Sequence, residues 1–138
     1  MRVLIVGAGG QLGSDLVRAF ADLGPIGLDH KALDIEVPSS VSRTLARYRP
    51  TVVINTAAFH NVEVCETRPD RAFAVNALAA DDLAAQCALA GAQLVHISTD
   101  YVFDGQSPVR QLHFSAAGQL SLPGSRGVAR GLFYRKPS

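Results

Sequence analysis

Glycines stand at positions 7, 10 and 13 of the segment Gly7-Ala8-Gly9-Gly10-Gln11-Leu12-Gly13. A backbone without Cβ approaches a phosphate closely, and a helix that starts there offers N–H groups and a partial positive charge to an anion. The phase is Gly7-x-x-Gly10-x-x-Gly13; the commoner G-x-G-x-x-G needs glycine at position 12, where Leu12 stands. An acid, Asp29, follows 22 residues after Gly7. A carboxylate there accepts both hydroxyls of an adenosine ribose and repels a 2′-phosphate, which favours NADH. His30 and Lys31 beside it soften that repulsion and leave NADPH open. Asp29 equally fits a strand-ending turn with a solvated charge. Asp34, within Leu33-Asp34-Ile35, either reaches the adenine amine or helps to cap the next helix.

This chemistry requires a strand before the glycines and a helix after them. Arg2 to Val6 is apolar and β-branched, as a strand buried on both faces would be. Gln11 to Leu23 carries Leu12, Leu16, Phe20 and Leu23 on one helical face, and Gly24-Pro25 stops it. Ile26 to Asp29 predicts a second strand, Ser39 to Tyr48 a helix, and Thr51 to Asn55 a third strand. Pro69 to about Leu89 reads as one long helix bearing Phe73, Leu78, Leu83 and Leu89, and Gln93 to Ser98 as a fourth strand. The alternation implies an α/β, Rossmann-type doubly wound parallel sheet. The expected strand order is 3-2-1-4, with the fourth strand at an edge. Ligands of such sheets bind beyond the carboxyl ends of the strands. Asn55 to Ala58 and Ser98, Thr99 and Asp100 fall there. Asn76 and His60 admit either a site role or a local structural one, whereas His96 reads as a satisfied core histidine and Cys65 and Cys87 as packing residues.

Composition narrows the class. The 138 residues are 48% hydrophobic and 18% charged, which excludes disorder. No run approaches the ~18 apolar residues of a membrane span. The opening apolar run is too short for a secretory signal, and two cysteines make neither a disulfide framework nor a metal site. A soluble, cytoplasmic protein is expected, with neither nucleic acid nor membrane as partner. The net charge of +1 hides a break: all 12 acidic residues precede Gly105, and only basic charges follow it. The chain therefore reads as two pieces, residues 1–104 and a basic stretch 105–138.

Four segments then combine: the glycine turn; Asn55-Thr56-Ala57-Ala58-Phe59 through Glu66; Val75-Asn76-Ala77; and Ser98-Thr99-Asp100-Tyr101-Val102-Phe103-Asp104-Gly105. Together they resemble the extended short-chain dehydrogenase/reductases, and within them the dTDP-4-dehydrorhamnose reductase family. The resemblance covers about residues 1–108, which it implies are a partial NAD(P)-binding Rossmann domain, with 109–138 an irregular or disordered basic tail. It implies reduction, by NADPH or NADH, of the 4-keto group of a dTDP-linked 6-deoxyhexulose on the way to dTDP-L-rhamnose. It also implies that Gly7, Gly10, Gln11, Leu12 and Gly13 meet the pyrophosphate, Asp29 or His30 the ribose, and Asp34 and Ile35 the adenine. Ala57, Ala58 and Phe59 would line the cofactor, Thr99 would hydrogen-bond the substrate carbonyl, and Asp100 would lie on the sugar side. The family also allows a homodimer and, through Asp15, a magnesium ion, although a lone exposed helix aspartate explains Asp15 as well.

The chain departs from the family at its catalytic Y-x-x-x-K, in which lysine one helical turn after tyrosine lowers the tyrosine pKa. No tyrosine here has a lysine four residues on, and Tyr134 is followed by Arg135 and Lys136. The expectation is a chain truncated or frame-disrupted after about residue 108, and inactive. Two other readings compete: a sugar-nucleotide epimerase or dehydratase, and a non-catalytic dinucleotide-binding module like the regulatory subunit of methionine adenosyltransferase.

Overall fold

A computed structural model describes residues 1–98 and Arg130–Phe133. Its strands are β1 (Val3–Val6), β2 (Ile26–Leu28), β3 (Val52–Asn55), β4 (Gln93–Ser98) and β5 (Arg130–Phe133). The helices are α1 (Gln11–Ala19), α2 (Pro38–Tyr48), α3 (Val62–Thr67), α4 (Pro69–Phe73) and α5 (Ala80–Leu89), with a π-helical segment, Ala74–Ala79, between the last two.

All four residues of β1 are buried, as its continuous apolar run requires. Side chains alternate across the sheet. Val3 and Ile5 join Ile54 on one face, where Leu16 and Val17 of α1 and Phe20 pack. Leu4 and Val6 face the other way, against Val41 and Leu45 of α2 and Leu83 and Cys87 of α5. Helices thus cover both faces of a parallel sheet, and the expected α/β doubly wound class holds.

The strand order differs from expectation: it is β2-β1-β3-β4-β5, not 3-2-1-4. The third strand pairs in parallel with β1, Val3 opposite Val52 and Val6 opposite Asn55. The reason lies between β2 and α2. Residues 29–37 form local turns (Leu33 N–H to Asp29 O, 2.9 Å; Val37 N–H to Asp34 O, 3.3 Å) rather than a strand, while Leu33 and Ile35 sink into the core. Nothing in that stretch adds a strand outside β2, so the next strand falls on the other side of β1. Nor is β4 an edge. Within the stretch read as a tail, Arg130–Phe133 pairs with it in parallel, Val95 opposite Arg130.

The long helix also differs. Its buried face is Ala79, Leu83 and Cys87, four residues apart, while Phe73, Leu78 and Leu89 are 61%, 58% and 88% exposed. Leu78 and Leu89 lie five and six residues from Leu83, about 140° and 120° around an α-helix, so they cannot share its face. Expected as one piece, the helix is interrupted by the π-helical segment around Asn76. Leu23, placed on the face of the first helix, is in a separate 3₁₀ turn and 44% exposed.

Candidate functional site: the carboxyl end of the sheet

The glycine turn is held from three sides. The N–H groups of Gly7 and Ala8 both donate to Leu28 O, at 2.9 and 3.0 Å, tying the end of β1 to that of β2. Gly7 has φ +80°, a conformation that costs an L side chain, and a Cβ there would meet Ala57 N and Thr56 Oγ1 at 2.8 Å. A Cβ on Gly13, in the first turn of α1, would run into the Gly7 carbonyl and lie 2.8 Å from Ala8 Cα. These two glycines let helix, turn and third strand interlock.

At the start of α1, Gly10 is the N-cap and has no side chain to cap with. The first helical bond is Ser14 N–H to Gly10 O, 2.9 Å. The N–H groups of Gln11, Leu12 and Gly13 therefore have no acceptor within the helix, and no acidic residue occupies its first turn. Free N–H groups at a helix start are the donors an anion would use. A pyrophosphate would supply both the missing acceptors and the charge that the helix dipole favours.

The residues on the β2 side are more occupied than expected. Asp29 is exposed and close to the turn, since a Cβ on Gly9 would lie 3.2 Å from Asp29 Cβ. Its Oδ1 accepts from Ala32 N–H at 2.9 Å, so one carboxylate oxygen braces its own turn. His30 and Lys31 are exposed beside it. Asp34 Oδ1 accepts from Glu36 N–H, 2.9 Å, and the Ile35 side chain lies in the core. Glu36 in turn forms a bidentate pair with Arg71 at 2.6 and 2.8 Å, joining this loop to α4.

On the β3 side, Ala57 packs against the core, Ala58 is exposed and Phe59 is half-buried. Asn76 clamps Phe59 through both backbone groups: its Oδ1 accepts from Phe59 N–H and its Nδ2 donates to Phe59 O, each at 2.8 Å. This contact is the local structural role weighed for Asn76. His60 is exposed, with Nδ1 3.3 Å from Ala58 O, and Cys65 Sγ is 3.4 Å from Phe59 O.

Asn55 is fully buried at the end of β3 and its partners fix its orientation. Ala57 N–H can only donate, so Oδ1 faces it at 3.0 Å, and Nδ2 must face His96 Nδ1 at 3.1 Å. The ring nitrogen then accepts, which requires a neutral imidazole. Burial lowers the His96 pKa and favours that form. His96 is the satisfied histidine the strand pattern predicts. Burial pushes the Cys87 thiol up to about 12, as suits a packing residue.

Thr99 and Asp100 lie outside the described residues, as do Tyr134 and Lys136. Asp15 is exposed and ion-paired with Arg18 one turn along α1. Among the described residues no group of three or more histidine, cysteine or acidic side chains is assembled for a metal. The residues around Asp15 thus do not fit a magnesium site. One contributor carries no signal in the sequence. Thr56 stands inside the quoted Asn55-to-Phe59 segment, yet only the fold shows its hydroxyl 2.7 Å from Val6 O.

The described geometry is a glycine turn beyond β1 that opens onto free helix N–H groups, flanked by the exposed Asp29 and by the loop that Asn76 clamps. A family model, the RmlD substrate binding domain, matches residues 1–122. The chain belongs to that family. Its match runs past residue 108, where the resemblance read from motifs stops. Among curated relatives of this RmlD-type chain, the spore coat polysaccharide biosynthesis protein SpsK of Bacillus subtilis is 43% identical over 107 residues, covering 76% of this chain and 38% of the relative. The dTDP-4-dehydrorhamnose reductase of Mycobacterium tuberculosis is 44% identical over 106 residues, 75% of this chain and 34% of the relative. A crystal structure of dTDP-4-dehydrorhamnose reductase from Bacillus anthracis in complex with NADP superposes with a TM-score of 0.73 at 40% identity, covering 78% of this chain and 39% of that one. This RmlD-family chain thus spans little more than a third of the length of these relatives.

Proposed function

We propose that this RmlD-family chain binds a nicotinamide dinucleotide across the carboxyl ends of β2, β1 and β3. We propose further that it serves the reduction of the 4-keto group of a dTDP-linked 6-deoxyhexulose. The observation that carries the reading is the uncapped start of α1, whose N–H groups at Gln11, Leu12 and Gly13 lack helical acceptors over an interlocked glycine turn. The sheet order supports one direction for it: adenosine at Asp29 beyond β2, pyrophosphate at the turn beyond β1, and the nicotinamide half beyond Ala57, Ala58 and Phe59 after β3. A cofactor bound there would supply the hydride for the keto carbon. The chain's own residues orient it: Gly10, Gln11 and Leu12 hold the phosphates, and Asp29 or His30 the ribose. Thr99 donates to the substrate carbonyl and Asp100 meets the sugar. A homodimer and a cytoplasmic setting go with this proposal.

The chain contains no tyrosine with lysine four residues on. We therefore assign these 138 residues binding without turnover. Calorimetric titration with NADPH and with NADH tests the reading. Saturable binding of either below millimolar concentration is expected, and its absence overturns it.

A further inference from the structure

Backbone bonds to Leu28 O tie the glycine turn to β2, and a side chain at the end of β3 adds a hold from the other side. Gly7 links the two carbonyls that matter. Val6 O precedes it and Gly7 O follows it, and the left-handed φ of +80° between them sets the direction in which the turn continues toward α1. Thr56, the first residue beyond β3, reaches both. Its Oγ1 lies 2.7 Å from Val6 O and 3.3 Å from Gly7 O, from a position 49–50 residues away in sequence. Both acceptors are carbonyls, so the hydroxyl is the donor, its hydrogen directed at Val6 O with Gly7 O the longer, second acceptor.

Neither carbonyl depends on that hydroxyl for satisfaction. Val6 O also accepts from Thr56 N–H at 3.0 Å, and Gly7 O from Gly10 N–H at 3.0 Å. Removing the hydroxyl therefore orphans no buried group, and little of its effect falls on folding. What it removes is the side-chain bond that reaches the peptides on both sides of Gly7, over and above the Thr56 N–H bond that holds Val6 O. Thr56 is itself well placed to act as a strut. Its neighbour Ala57 is anchored by Asn55, and Asn55 by His96 on β4, so the hydroxyl projects from a braced strand end.

We propose that Thr56 is a positioning residue of the dinucleotide site: its hydroxyl pre-sets the Gly7 peptides so that the N–H groups at the start of α1 converge on a pyrophosphate. The assignment rests on the dinucleotide reading above and deepens it. An ordered turn spares the ligand the cost of ordering it, so the hydroxyl contributes through pre-organisation rather than contact.

The test uses the full 138-residue chain with two substitutions. Thr56→Val keeps shape and β-branching and deletes the donor; Thr56→Ser keeps the donor and deletes the methyl. NADPH and ADP share the pyrophosphate, and both are titrated against each variant. The expected result is a loss of about tenfold in affinity for both ligands in Thr56→Val, with Thr56→Ser within about threefold of the parent, since 1.4 kcal/mol is tenfold. The amide resonances of Gly7, Gly9, Gly10 and Gly13, recorded without ligand, should shift or broaden in Thr56→Val and stay near parental positions in Thr56→Ser. Parental affinity in Thr56→Val, with unmoved glycine amides, overturns the assignment and leaves the site reading standing. Equal losses in both variants also overturn it, because packing of the methyl would then be responsible. A parent that binds neither ligand overturns the site reading, and the role assigned to Thr56 with it. The glycine amides report on the tether even if Thr56→Val is too unstable to titrate.

Discussion

Gly13 is the residue at which adding one methyl group should matter most. Its Cβ would enter the space of the Gly7 carbonyl and Ala8 Cα, both backbone, so no side chain can swing aside. Gly13→Ala is expected to cost about 1–3 kcal/mol, the range for overpacking, and to abolish dinucleotide binding. Denaturant unfolding with unchanged midpoint would contradict this. Asp29 is separable into brace and charge. Asp29→Asn keeps an oxygen for Ala32 N–H but removes the negative charge, so affinity should shift toward NADPH relative to NADH. An unchanged ratio of the two dissociation constants would remove Asp29 from the ribose subsite. His96 predicts a pH dependence. Its folded pKa lies below the ordinary 6.5, so the unfolded chain binds a proton that the folded chain refuses. Its contribution to stability is complete above about pH 6.5 and declines as pH falls toward the lowered folded value. Protonation would also set a ring N–H against the Asn55 amide. The slope of stability against pH below 6.5 should flatten in His96→Gln, measured by denaturant unfolding at several pH values.

At the scale of elements, the interrupted helix from Pro69 to Leu89 separates two kinds of leucine. Leu83 is fully buried beneath α5, between Ala79 and Cys87, whereas Leu78 in the π-helical segment is exposed. Leu83→Ala should cost about 2–5 kcal/mol by cavity formation, and Leu78→Ala within about 0.5 kcal/mol of nothing. A reversed ranking in urea unfolding would restore the helix face that the sequence suggested. The π-helical segment has a visible consequence for the site: Asn76 sits within it and holds both backbone groups of Phe59. The Glu36–Arg71 pair joins the loop after β2 to α4, and the Arg71 side chain keeps 44% of its surface in solvent. Its contribution should stay near the ~1 kcal/mol or less of surface pairs.

For the whole molecule, binding and turnover should separate. Ketone reduction needs a proton donor matched to the developing alkoxide, and a positioned general acid contributes about 10²–10⁴-fold. With no Y-x-x-x-K in its 138 residues, the chain should bind NADPH or NADH without oxidising it when the dTDP-4-keto sugar is added. Turnover at rates typical of the reductases would refute the assignment of binding alone. Much of this was legible in the sequence by itself. The glycine phase, the apolar run of β1, Asp29 at the end of β2 and the βαβαβαβ alternation are each written in contiguous residues, where propensity and periodicity act. The partners of those elements are not. Whether Thr51 to Asn55 lies outside β2 or beside β1 depends on whether residues 29–37 make a strand or a turn, and their turn hydrogen bonds, with only Leu33 and Ile35 reaching the core, decide it. The interruption of the long helix by a π-helical segment leaves no mark in the spacing of its residues. Thr56 looks like any strand-end threonine until β3 lies against β1. Its hydroxyl then meets carbonyls some fifty residues distant, because parallel pairing aligns strand ends that the chain itself keeps far apart.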